Sequence, residues 1–217
     1  MSRPEMVKIT CPHCQKESDF RIWSSINTQL DPELKSAVRD QSVFLFKCPE
    51  CGKKNSINYG FLYHQMEDNM MIHYANTEEN VQECLELYTN KDNEMMKAML
   101  DTGYLIRVVR SREALLEKLA IFDAGLDDRI IEIIKLLYLV QLEERDNVDG
   151  VYFAKVGDEK IIEFISDGRV LAHAKLDENI YADIEKDYID KLPPINKGDI
   201  IIDFSWALEC WRNNKKS

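Results

Sequence analysis

Cys11-Pro12-His13-Cys14 and Cys48-Pro49-Glu50-Cys51-Gly52 decide how this chain is read. The two Cys-Pro-x-Cys hooks enclose 33 residues, from 15 to 47. Two residues between paired cysteines let one tight turn aim both sulfurs at one ion, and four thiolates in a tetrahedron make a closed structural site for Zn²⁺. Pro12 and Pro49 fix φ early in each turn and hold the preceding cysteine extended. Gly52 suits the left-handed backbone that completes such a turn. Gln15 stands at the equivalent place after the first hook, so that turn lacks its glycine. The expectation is one Zn²⁺ per chain, held by Cys11, Cys14, Cys48 and Cys51. Lys16, Lys47, Lys53 and Lys54 stand near enough in sequence to offset the charge of four thiolates.

Two other readings of the hooks remain: a disulfide framework, and a redox site. Cys-Pro-His-Cys is similar to the hook of thioredoxin-fold oxidases. That chemistry needs its first cysteine at a helix N-terminus within a βαβ unit. Here Gln15 to Trp23, with Phe20 and Ile22 alternating, reads as a strand. A catalytic zinc would need an open coordination position, which four cysteines do not leave. Cys84 and Cys210 stand alone and read as packing residues.

Working outward from the hooks, strands are expected over Met6–Thr10, Ser18–Ile26, Val43–Lys47, Asn55–Gly60 and Met70–Ala75. Asp31-Pro32-Glu33 opens a short helix that runs to about Gln41. The result is a zinc-ribbon-like antiparallel sheet with an inserted helix. Thr77 to Asp101 is polar and acidic, and reads as a connection or lid that is helical in part. Tyr104–Val109 is a further strand. Two helices follow, from Ser111 to about Asp123 and from Asp127 to about Glu144, with Gly125 ending the first. This αα-hairpin has a second helix that is apolar around most of its circumference, and so is buried.

Beyond Asn147 the texture changes to a small β-rich C-terminal unit. Strands are expected at 151–156, 161–165 and 169–174, with hairpin turns at Gly157-Asp158 and Asp167-Gly168. An acidic helix over Asp177–Asp190, a strand over Ile200–Phe204 and a closing helix over Trp206–Arg212 complete it. The fold class expected is α+β, divided into residues 1–146 and 147–217.

Composition limits the function. The chain has 217 residues, 45% apolar and 31% charged, ordinary for a globular protein. Its richest apolar run, Ile130–Leu142, is interrupted by Glu132, Lys135 and Gln141, short of a membrane span. Residues 1–6 carry no apolar signal core, which leads to the expectation of a cytoplasmic protein with reduced thiols. The formal charge is −11, spread unevenly: residues 1–60 carry nine Lys/Arg against seven acids, and the remainder 19 against 32. Phosphate binding is driven by cations, so the whole chain is a poor general nucleic-acid binder.

The hooks, followed by Leu62-Tyr63-His64, the Met70–Tyr74 strand, the Arg107–Arg112 segment and the Asp127-Asp128-Arg129 helix start, resemble the CpXC family over roughly residues 5–142. The resemblance implies a zinc-binding bacterial or archaeal protein of the cell interior, and implies no particular activity. The function expected is a protein-interaction or scaffolding module, with a protein partner or self-association through the sheet near Tyr59–Tyr74 or the apolar hairpin face.

Other constellations carry alternatives. His64 and His73, with Glu67 and Asp68, would make a second metal site and a hydrolase-like enzyme. Asp128 and Glu132 share a helix face and could serve as paired carboxylates, but acids at a helix start also favour the dipole. Arg107, Arg110 and Arg112 form the one compact basic cluster, suited to a phosphate, an acidic segment or a solvated edge. The mildly basic first 60 residues leave a nucleic-acid accessory role open.

Overall fold

A computed structural model describes residues 2–90 and 92–214. The fold is α+β, and the chain forms two compact units, Met1–Arg112 and Glu113–Ser217.

In the first unit, β1 (Arg3–Thr10) and β2 (Glu17–Asn27) form a long antiparallel hairpin. The short α1 (Glu33–Arg39) follows, then a second, small hairpin of β3 (Leu45–Lys47) and β4 (Lys54–Ser56). β5 (Phe61–Gln65) and β6 (Met70–Tyr74) pair antiparallel across a turn in which Asn69 takes φ 50°. Two helices, α2 (Glu78–Thr89) and α3 (Glu94–Asp101), lead to β7 (Leu105–Val109). The main sheet has the order β1-β2-β5-β6-β7.

That sheet is mixed, which corrects the expected all-antiparallel pairing. β2 pairs parallel with β5 through Ser25–Asn27, and β6 pairs parallel with β7. Parallel neighbours require a long crossover. Residues 28–60 supply one, and the stretch expected to be a connection or lid supplies the other as α2 and α3. Thr77 and Asn93 cap these helices, accepting hydrogen bonds from the N–H groups of Asn80 and Met96. Lys91, between the two helices, lies outside the described residues. The strand expected at Asn55–Gly60 ends at Ser56, and the next one begins at Phe61. Gly60 lies between them because its backbone packs on Tyr74: a Cβ there would meet the Tyr74 carbonyl at 2.5 Å.

Alternation along β5 and β6 gives the sheet two covered faces. Phe61, Tyr63, Tyr74 and Ile72 point one way and are at most 1% exposed. Phe44 packs there, with ring centroids 5.8 Å from Phe61 and 5.3 Å from Tyr59. α1 is fastened to the same face, since Arg39 Nη1 donates to the Tyr63 hydroxyl at 2.8 Å. The surface near Tyr59–Tyr74, expected to receive a partner, is therefore largely core. Its aromatic residues are consumed by β5–β6 pairing and by Phe44.

The second unit opens with the helical hairpin, α4 (Arg112–Asp123) and α5 (Asp128–Gln141). Gly125 turns the chain with φ 68°, and Leu126 N–H closes the end of α4 on the Ile121 carbonyl at 3.1 Å. Asp127 caps α5 by accepting from the Arg129 N–H. A three-stranded antiparallel meander follows: β8 (Gly150–Val156), β9 (Glu159–Ser166) and β10 (Arg169–Lys175), in the order β10-β9-β8. Asp167 and Gly168 both have positive φ, 50° and 69°, as a two-residue hairpin turn of that type demands.

The inner face of this meander, through Val151, Phe153, Ile162 and Phe164, packs with Ile130, Ile131 and Ile134 of α5. α6 (Glu178–Tyr188) and α7 (Phe204–Asn214) complete the unit, and Ile133 and Leu136 of α5 pack with Ala207 of α7. The apolar face of α5, the other surface expected to meet a partner, is used inside the fold for this reason. The strand expected at Ile200–Phe204 is absent. Ile200 and Ile202 are buried without strand pairing, and Asp203 Oδ1 accepts from the Trp206 N–H at 3.0 Å to start α7. The helical hairpin groups with these C-terminal strands, and the compact units divide after Arg112.

Candidate metal centre

Each hook occupies the tip of a hairpin. Cys11–Cys14 connect β1 to β2, and Cys48–Cys51 connect β3 to β4. The two tips are built alike. Cys11 N–H donates to the Lys16 carbonyl and Gln15 N–H to the Cys11 carbonyl, both at 2.9 Å. Cys48 N–H donates to Lys53 and Gly52 N–H to Cys48, again both at 2.9 Å. The backbone must turn left-handed after the fourth hook residue in both. Gly52 does so at φ 70°, and Gln15 is forced to do so at φ 60°. The side chain of Gln15 recovers part of that cost by donating from Nε2 to the Pro12 carbonyl at 3.2 Å.

The tips bring the four sulfurs together, all within 4.8 Å of one another. Cys11 Sγ lies 3.7 Å from Cys51 Sγ, and Cys14 Sγ lies 3.7 Å from Cys48 Sγ. A tetrahedron with metal–sulfur bonds of about 2.3 Å has edges of about 3.8 Å. The donor set and its spacing thus fit a thiophilic tetrahedral ion. All four cysteines are free thiols, so the disulfide reading is not realised. The redox reading lacks its helix, because β2 follows the first hook.

The site has an inner and an outer side. Cys11 and Cys48 are wholly buried against Phe46, Phe20, Ile9 and Ile57, whereas Cys51 is exposed. Burial raises the Cys11 thiol, but the Cys14 and His13 N–H groups outweigh it and bring that thiol down to about 6. At Cys14 the Lys16 N–H works downward, but burial and the neighbouring thiols prevail and push it up to about 12. This pattern is that of four sulfurs competing to carry negative charge in one small space, which a divalent cation would relieve.

Among the described residues, these cysteines are the one group of three or more His, Cys, Asp or Glu with metal-ligand spacing. The histidine constellation is not assembled. His64 Nε2 is hydrogen-bonded to the Tyr104 hydroxyl at 3.0 Å, and His73 Nδ1 to the Tyr88 hydroxyl at 3.2 Å. Burial lowers both histidines, which keeps their rings neutral at physiological pH. Glu67 turns away to Lys35 and Thr28. Cys84 is buried, which pushes its thiol up to about 11, as in an inert packing residue.

The arginine cluster is dispersed: Arg107 is buried, Arg110 pairs with Glu78 at 3.2 Å, and Arg112 lies over the Phe44 ring.

Sequence reasoning missed a second ionic feature. Glu117 and Lys118 of α4, with Asp128, Glu132 and Lys135 of α5, are at most 5% exposed. Lys118 Nζ lies 3.1 Å from both Asp128 and Glu132, and Lys135 Nζ lies 2.8 Å from Glu117 and 2.9 Å from Glu132. Glu117 also accepts from the Phe153 N–H at 2.7 Å, tying the hairpin to β8. Burial opposes the charge on both lysines, but the carboxylates around them prevail and raise them above the usual range. Asp128 and Glu132 are therefore neither a catalytic pair nor solvated dipole partners. They clamp two helices. The signal was present: a helix apolar on nearly every side must bury its polar stripe as well, and Asp128, Glu132 and Lys135 form that stripe.

No curated protein and no solved structure matches the chain. A family model, described as CpXC protein, matches residues 9–135. That span covers both hooks, the whole mixed sheet beyond β1 and most of the helical hairpin, and with more than half its length matched the chain belongs to the CpXC family.

Proposed function

We propose that this protein is a structural zinc protein of the reduced cell interior that serves as an interaction or scaffolding module. The observation that carries the reading is the closed set of four thiols at tetrahedral spacing, held by two matching turns. Cys11, Cys14, Cys48 and Cys51 would hold the ion. Bound there, Zn²⁺ supplies a cross-link between two hairpin tips and no open position for substrate or water. The wholly buried Cys11 and Cys48 anchor the inner side of the site. Thiols of this kind stay available as ligands where the surroundings keep them reduced. The charge of −11 weighs against nucleic acid as the partner.

The test is metal content measured beside self-association. Protein purified under reducing conditions should carry one zinc per chain, and Cys48→Ser should lose it. Sedimentation should then show whether the zinc-loaded chain self-associates or requires another protein. A wild-type chain free of zinc, or a Cys48→Ser variant that keeps it, would overturn the metal reading.

A further inference from the structure

Asn55 on β4 is seven residues past Cys48, the position that Ser18 on β2 holds relative to Cys11. Only Asn55 carries an amide there, and it breaks the likeness of the two tips. It pairs with Phe46 and so faces the small apolar cluster under the hooks. Its Nδ2 donates across to Cys11 Sγ of the other hairpin at 3.9 Å. Cys11 is, with Cys48, one of the two wholly buried ligands, and it already receives N–H groups from its own turn. The Asn55 amide is an N–H donor that reaches it from the opposite hairpin.

We propose that Asn55 is a positioning residue of the metal centre, holding the inner Cys11 sulfur in its ligating direction and withdrawing charge from it. The inference rests on the four-thiolate reading above. At 3.9 Å the contact is long and weak toward a neutral thiol. It strengthens when the sulfur is an anion, as charge-assisted hydrogen bonds do. Its contribution therefore appears mainly in the metal-loaded form. Outer partners of metal ligands typically change affinity by about 10- to 100-fold.

The experiment uses the full chain and two probes, Co²⁺ for absorption and Zn²⁺ for release to excess chelator. With Asn55→Ala, the thiolate-to-cobalt charge-transfer band should move to lower energy and zinc affinity should fall by about 10- to 100-fold. The metal-free melting temperature should stay at the wild-type value. Asn55→Gln, which keeps an amide, should recover part of the band position, and Asn55→Asp should lose zinc fastest. An unshifted band with unchanged release in Asn55→Ala would overturn the inference while the four-thiolate reading stands. Equal loss of stability with and without metal would overturn it in favour of simple packing. Should Asn55→Ala fail to fold, Asn55→Leu, which keeps the volume without the amide, decides: a band at lower energy with faster zinc release supports the proposal, and a wild-type band with wild-type release opposes it. A wild-type chain that binds neither ion removes both readings together.

Discussion

The hairpin tips and the helical hairpin solve the same problem by opposite means. The tips bring together turns far apart in sequence around four thiols, and the helical hairpin clamps two neighbouring helices with buried charges. At the tips the apolar cluster holds just three buried residues, Cys11, Phe46 and Cys48, and two of those are proposed ligands. There is little apolar surface to hold two hairpins by burial, and the proposed coordination would supply the difference. α4 and α5 belong to a much larger cluster with Phe153, Ile162 and Phe164, whose burial stabilises the unit enough to absorb charges sealed within it. The lesson is that an ionic site marks a weak core in one place and a strong core in the other. The tips should be fragile without their ion, whereas the helical pair should be fragile only when its charges are left unmatched.

The largest expected effect follows from removing the ion. Structural zinc supplies on the order of 10 kcal/mol of folding free energy in small domains. Chelation should therefore abolish amide-exchange protection in β3, β4 and the Cys11 end of β1, while α4 and α5 keep theirs. Exchange that rises equally in both regions would erase the comparison.

Next in size is Glu132→Gln. It takes one of two carboxylates from each of Lys118 and Lys135, leaving Lys118 on Asp128 and Lys135 on Glu117, in a site at most 5% exposed. Breaking one partner of a buried ion pair costs about 3–5 kcal/mol, read from denaturant unfolding. Replacing Lys118, Asp128, Glu132 and Lys135 together by methionine and leucine of similar volume, with Glu117→Gln to keep an acceptor for the Phe153 N–H, should recover most of that loss. If the combined variant is as unstable as the single one, the pairing is not what holds the helices.

A smaller effect sharpens the likeness of the two tips. Gln15→Gly relieves the left-handed backbone at φ 60° and should stabilise the zinc-loaded protein by about 1 kcal/mol, visible as a higher melting temperature. Gly52→Ala should do the reverse, because φ is 70° there and no neighbouring atom lies within 4 Å to matter otherwise.

The smallest concerns His73, which burial holds below the ordinary histidine value of 6.5. A group with a depressed folded pKa binds protons more readily unfolded. The folded state is therefore at its best above pH 6.5 and loses stability as pH falls through that value toward the lower folded pKa. His73→Gln should flatten that part of the pH dependence, measured against wild type at matched zinc loading. An unchanged slope would mean that His73 titrates normally.

The same contrast governs how much was legible in the residues alone. The tips were readable because ligand chemistry is local: spacing, proline and glycine reveal a turn without knowledge of its partner. Even the Gln15 irregularity could be named in advance, though not that the backbone adopts the glycine conformation regardless. The sheet was less legible. Each strand pattern is local, but a parallel pairing such as Ser25–Asn27 with Leu62–His64 depends on where a 33-residue excursion, residues 28–60, returns the chain. The polar surfaces of α2 and α3 hid the second crossover, because only Val81, Cys84, Tyr88 and Met96 are buried in them. The ion cluster of α4 and α5 was hidden by a sound local rule. Acids at a helix start favour the dipole, and nothing local says that Lys118 waits opposite.

The account turns on whether the four sulfurs share one ion. X-ray absorption at the zinc edge of the purified, reduced full chain tests it most directly. The prediction is four sulfur scatterers at about 2.3 Å and no lighter ligand. A first shell containing nitrogen or oxygen, or no zinc to measure, would contradict it.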